Sequence, residues 1–151
     1  CNRTAGVVPF SFDPTPVVKR SGTNRLYCLT LRVQPCADPD HKCCNQALAK
    51  VEWWSKDVCR SSVKNVFLSG VKIDQQWAPK GTFKIPALGL ERNEVPAQGL
   101  ELCMELSSTS NCPTLASFCA RGDRGSCFYS VFNADKDCCP VNTFAALGSR
   151  R

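Results

Sequence analysis

Apolar residues fall on alternate positions in several short stretches. Tyr27, Leu29, Leu31 and Val33 share one side of residues 25–33, and β-formers dominate around them, so this stretch predicts a strand. Residues 99–106 alternate more cleanly. Leu100, Leu102, Met104 and Leu106 take one side, and Glu101 and Glu105 take the other, which reads as the wet face of a half-buried antiparallel strand. Residues 63–73 read as a strand with a possible bulge at Ser69-Gly70. Phe83, Ile85, Leu88 and Leu90 make another, interrupted at Pro86 and therefore placed at an edge. Residues 127–132 form a last short strand. Residues 45–54 fit a helix through Ala47, Leu48 and Val51, or a strand through Val51 and Trp53. Residues 112–119 predict a short helix with Pro113 in its first turn. Residues 1–24, broken by Pro9, Pro14 and Pro16, read as irregular, and residues 35–44 as a polar turn region.

The resulting fold class is all-β or β-rich: a disulfide-stapled antiparallel sandwich with one or two short helices. Residues 1–142 make one globular domain, and residues 143–151 are expected to be a flexible C-terminal tail. The stapling follows from composition. Twelve of 151 residues are cysteine: Cys1, Cys28, Cys36, Cys43, Cys44, Cys59, Cys103, Cys112, Cys119, Cys127, Cys138 and Cys139. The even count and high density point to disulfides and an oxidising, secreted setting. Zinc prefers thiolates in close CxxC pairs, and this chain has none. Adjacent cysteines bridge each other poorly, so Cys43 and Cys44, like Cys138 and Cys139, should reach different partners. The pairing itself stays open. The steps Cys28–Cys36–Cys43 and Cys103–Cys112–Cys119 echo one another. The residues between them do not match, so the echo reads as two strand–loop corners stapled alike.

No run approaches 18 apolar residues, so no membrane insertion is expected. The chain starts at Cys1 without an apolar leader, as a trimmed secretory product would. Asn2-Arg3-Thr4 is an N-glycosylation sequon, which makes Asn2 a candidate modified residue.

Catalytic, cofactor and metal sites are not expected. His41, the single histidine, would have to serve as base in any Ser-His-Asp arrangement, and it lies in a polar turn. Glu91, Glu94, Glu101 and Glu105 could supply a carboxylate pair for glycoside hydrolysis, but alternation puts Glu101 and Glu105 on a wet strand face. Asp38 with Asp40, and Asp135 with Asp137, offer too few oxygens for calcium. Arg121-Gly122-Asp123, in the Cys119–Cys127 loop, reads as a glycine-containing turn.

Carbohydrate binding is the sharper idea, because sugars are held on aromatic faces with polar groups at the rim. Trp53, Trp54 and Trp77 are the candidates. In a strand Trp53 and Trp54 point to opposite sides, so one of them is core. Residues 1–75 carry 11 basic and 6 acidic side chains, and residues 76–151 carry 8 and 7. The basic half makes acidic or sulfated polysaccharide a candidate partner. The cations do not form one run, which argues against nucleic acid.

The cysteine frame resembles the pherophorin domain of volvocine green algae. The matching residues are Tyr27-Cys28, Cys36, Cys43-Cys44, Lys50-Val51-Glu52, Cys59, Gly70, Trp77, Leu88 with Leu90, and Leu102-Cys103-Met104-Glu105-Leu106. The most specific part is Cys112-Pro113-Thr114-Leu115 through Cys119, then Cys127-Phe128-Tyr129-Ser130-Val131-Phe132 and Asp137-Cys138-Cys139-Pro140. The resemblance implies a non-catalytic extracellular-matrix (cell-wall) glycoprotein module of the Volvox and Chlamydomonas group. It further implies matrix glycoproteins as partners, with a soluble sexual-inducer-like signal as the alternative; an enzyme acting on wall polysaccharide is the second rival reading. The ten prolines form no polyproline spacer, so the chain reads as one globular end of a longer protein.

Overall fold

The computed structural model describes residues 1–78 and 81–146. Eleven strands are formed among them: β1 (Phe10–Phe12), β2 (Val17–Ser21), β3 (Asn24–Val33), β4 (Leu48–Trp54), β5 (Val63–Leu68), β6 (Val71–Ile73), β7 (Gln76–Ala78), β8 (Thr82–Ile85), β9 (Leu100–Leu106), β10 (Ser126–Asn133) and β11 (Val141–Ala145). One four-residue helix, α1 (Leu115–Phe118), and isolated 3₁₀ turns complete the chain. The strands make two antiparallel sheets around a shared core. The first runs β1-β3-β9-β5-β6, with β2 also on β3; the second runs β11-β10-β4-β8-β7.

Register follows the apolar pattern. Tyr27 opposes Met104, Leu29 opposes Leu102 and Leu31 opposes Leu100, so the inner sides of β3 and β9 match residue for residue. The ambiguous stretch 45–54 is a strand for the same reason. Val51 and Trp53 oppose Val131 and Tyr129 on β10 and share their side. Phe12 packs across the two sheets on Tyr129 at 5.0 Å; within the second sheet Trp53 packs on its β8 partner Phe83 at 5.7 Å, and Phe83 packs on Phe118 of α1 at 5.7 Å. The Phe12 N–H donates to Tyr129 Oη at 2.8 Å, and burial pushes the Tyr129 phenol up to about 12.

All twelve cysteines are paired, as Cys1–Cys139, Cys28–Cys103, Cys36–Cys44, Cys43–Cys138, Cys59–Cys112 and Cys119–Cys127. Each adjacent pair reaches separate partners, as expected. The two echoed corners are not stapled alike: Cys36 closes locally on Cys44, whereas Cys112 crosses to Cys59. The echo has another outcome, in that its two strands pair with each other and Cys28 bonds Cys103 directly across the β3–β9 ladder.

Four other expectations are corrected. Residues 1–24 contain β1 and β2, because the prolines bracket these strands rather than break them. Ser69 and Gly70 form a two-residue turn with φ of 50° and 82°, so residues 63–73 are the hairpin β5–β6 and not a bulged strand. β8 lies inside its sheet, between β4 and β7; the chain leaves it at Pro86 and returns to β4 where Leu90 bridges Leu48. The tail expected from residue 143 does not start there. β11 pairs with β10, and Phe144 and Ala146 are buried, since Phe144 opposes Cys127 on the inner side. Residues 147–151 of that expected tail lie outside the described residues.

Candidate functional site

Trp53 and Trp54 take opposite sides of β4. Trp53 is fully buried, so its candidacy as a sugar platform fails: it is core. Trp54 is 36% exposed on the outer face of the second sheet. On the neighbouring β10, Tyr129 opposes Trp53 and points inward, which turns Phe128 outward beside Trp54. Adjacent strands lie about 4.8 Å apart, so the two rings sit side by side.

These rings line a groove of about 380 Å³ with Arg3, Ala120, Arg121 and Val141. Arg121 is delivered by the segment after α1. The Ala120 N–H donates to the Trp54 carbonyl at 3.0 Å, Ser55 bridges Cys119, and Cys119–Cys127 ties the loop back to β10. The Arg121 guanidinium then lies 5.6 Å from the Phe128 ring centre. The next residue must be glycine. A Cβ at position 122 would sit 2.4 Å from the Ala116 carbonyl oxygen. The Arg-Gly-Asp tripeptide is thus a turn whose glycine is buried against α1, and its arginine faces the groove.

Arg3 arrives from the other end of the chain. Cys1 is bonded to Cys139, the Asn2 N–H donates to the Asp137 carbonyl at 2.8 Å, and the Cys139 N–H donates to the Asn2 carbonyl at 2.7 Å. The Asn2 side chain is exposed, and its Oδ1 accepts from the Thr4 N–H at 2.9 Å. Farther along the same outer face, Glu52 is shared by Lys50 at 2.6 Å and Lys84 at 3.7 Å, while Lys50 Nζ lies 4.4 Å from the Phe132 ring centre.

The remaining candidates go elsewhere. Trp77 faces inward from β7 onto Phe83 at 5.2 Å and Phe118 at 5.8 Å, with Arg60 across its ring, so it is not part of the groove. His41 Nδ1 accepts the Cys43 N–H at 3.1 Å and caps a 3₁₀ turn. Two groups bring a third ligand type to paired cysteines, His41 with Cys43 and Cys138, and Glu101 with Cys28 and Cys103. In both, the sulfurs are joined as a disulfide and carry no thiolate charge. Asp135 and Asp137 are both bridged by Lys42, which with Asn133 holds the Asp137 carboxyl below the usual range.

Glu105 corrects the wet-face reading. Glu101 is exposed and meets Lys19 at 2.7 Å, but Glu105 is only 6% exposed. Its carboxylate accepts from Asn24 at 2.8 Å, Asn65 at 3.1 Å and Ser21 at 3.3 Å. These bonds, Asn24's foremost, lower its pKa against the opposing effect of burial.

Phe128, Arg3 and Val141 were not singled out from the sequence as site residues. The available signal was Phe128 itself, a large aromatic on the outward side of an alternating strand.

The family model described as Pherophorin matches residues 1–140. Perphorin-2 of Volvox carteri is 35% identical over 156 residues, covering 93% of this chain and 31% of the relative. Perphorin-1 of the same organism is 33% identical over 131 residues, covering 80% of this chain and 24% of the relative. The chain therefore spans about a third or less of the length of these relatives. No solved structure matches it.

Proposed function

The chain belongs to the pherophorin family of extracellular-matrix glycoproteins, and from that premise we propose that it is a secreted, non-catalytic module that contributes to matrix assembly by holding polysaccharide, free or carried by other matrix glycoproteins, on the outer face of its second sheet. The observation that carries this reading is the side-by-side placement of Trp54 and Phe128 on an open sheet face with arginines at the rim. A pyranose ring presents a C–H face that packs on indole or phenyl, and its hydroxyls meet the surrounding donors.

The carboxylates support a non-catalytic role. Glu91 and Glu94 cap one 3₁₀ turn reciprocally, Glu101 is paired with Lys19, and Glu105 is enclosed by amides on the other sheet. Glu52, on the binding face, is held between two lysines. None is arranged as an acid opposite a base across the groove.

Affinity electrophoresis of the oxidised chain through gels containing algal wall polysaccharides tests the proposal. Retardation by at least one polymer is expected, and Trp54→Ala should abolish it. Retardation unchanged in Trp54→Ala, or none with any polymer, overturns the proposal.

A further inference from the structure

We infer that the Trp54 groove selects sugars bearing a negative group, a carboxylate or a sulfate ester, with Arg121 and Arg3 as the anion contacts; this rests on the polysaccharide reading above. Two cations from opposite ends of the chain line one groove of about 380 Å³ in which no acidic side chain takes part. Among the described residues neither Arg3 nor Arg121 forms an ion pair; other surface cations such as Arg20 and Arg124 are unpaired too, but only Arg3 and Arg121 line the groove. Glu52, on the same sheet face, is already answered by Lys50 and Lys84.

Arg121 is also pre-organised. Its backbone is fixed by the buried Gly122 and by Cys119–Cys127, and its guanidinium lies across the Phe128 ring. The ring lies beside the guanidinium at 5.6 Å and leaves N–H donors for a planar or tetrahedral oxyanion. The fork suits two oxygens of one carboxylate or sulfate, while Trp54 takes the ring that carries the group. Arg3 adds a second charge held by Cys1–Cys139 and the Asn2 backbone bonds. The ligand this describes is an acidic glycan segment, ring on tryptophan and anion on arginine.

Titration calorimetry of the oxidised chain, at low and at physiological salt, tests this with four probes: oligogalacturonate, sulfated dextran, unsulfated dextran and single-stranded oligodeoxynucleotide. At least one acidic glycan should bind more tightly than unsulfated dextran, and the tighter of the two identifies the anionic group. Arg121→Ala and Arg3→Ala should each weaken the acidic glycan about tenfold, the loss expected for one charged hydrogen-bonding partner. The melting temperature should stay the same, and any affinity for unsulfated dextran, whose hydroxyls also meet these rim donors, should fall by less than that for the acidic glycan. Arg121→Lys keeps the charge but not the fork, so it should recover only part of the loss. Arg20→Ala, an exposed charge on the first sheet, should change nothing.

Equal, Trp54-dependent binding of charged and neutral dextrans overturns the anion inference and leaves the polysaccharide proposal standing. Weakening by Arg20→Ala as large as that by Arg121→Ala overturns it as well, since the effect is then a diffuse field. Tighter binding of the oligodeoxynucleotide than of either acidic glycan, lost in Trp54→Ala, assigns the groove to stacked bases instead. Absence of binding to every probe defeats both readings together.

Discussion

Across the outer side of the first sheet, polar groups find partners within the chain. Glu105 accepts from two amides and a hydroxyl, Glu101 meets Lys19, Arg32 meets Asp13 at 3.0 Å, and Cys28–Cys103 joins the two central strands. Across the outer side of the second sheet, Trp54 and Phe128 face outward, and Arg3 and Arg121 stand beside them without carboxylates. The strands are alike in length and pairing. Lys50, Glu52 and Lys84 also satisfy one another on the second sheet, so the difference lies in the groove, where no carboxylate meets Arg3 or Arg121. A patch that satisfies itself contributes stability, and a patch that does not is left for a ligand.

Mutations should divide along that line. The largest effect is expected from opening the first sheet's staple. Cys28→Ala with Cys103→Ala releases a bridge spanning 75 positions, and chain entropy alone puts the loss at about 4.5 kcal/mol. Denaturant unfolding without reductant would measure it, and a loss below about 1 kcal/mol would remove this face's claim to a stabilising role. Trp53→Ala should cost about 4 kcal/mol, because it empties the centre of the aromatic core. Its neighbour Trp54→Ala should cost no more than about 0.5 kcal/mol, as an outward position on the binding face. Equal losses at Trp53 and Trp54 would dissolve the contrast between inner and outer sides.

Glu105→Ala should fall between, at about 1–3 kcal/mol, since it leaves two amides and a hydroxyl without their acceptor. The pH dependence has a definite sign. The folded-state pKa of Glu105 is depressed, so its contribution is complete above the unfolded carboxylate range and is lost as pH falls through the folded value. The stability gap between wild type and Glu105→Gln should therefore narrow on acidification. A gap that stays constant from neutral to strongly acidic pH would show that charge at this site plays no part.

The sequence disclosed most where burial alternates. β3, β9 and β10 lie where Leu29, Leu102 and Val131 put them, since a residue slip would have turned each apolar set outward. Residues 45–54 could not be assigned alone, because their strand identity comes from Tyr129 and Val131 across the ladder. β1 and β2 were hidden by Pro9, Pro14 and Pro16, which bound strands as readily as they break them. Glu105 misled because periodicity reports which side of a strand a residue takes. It does not report what covers that side, and here Asn24 and Ser21 from the β2–β3 hairpin do so. The groove was only half legible. Trp54 was named from its residue type, but Arg3 reaches it through Cys1–Cys139, a pairing that spacing leaves open. Arg121 stood out as part of a tripeptide, whereas its place here comes from the glycine after it.

Cys1–Cys139 also has a mechanical meaning. It encloses nearly the whole fold in one covalent loop, and Cys43–Cys138 closes a second loop beside it. A pull applied at Cys1 and just past Cys139 would travel through a single sulfur–sulfur bond, and the sheets inside the loop would carry almost none of the load. The groove residues inside that loop, Arg3, Trp54, Ala120, Arg121 and Phe128, would keep their places under tension that would strip apart an unlinked sandwich.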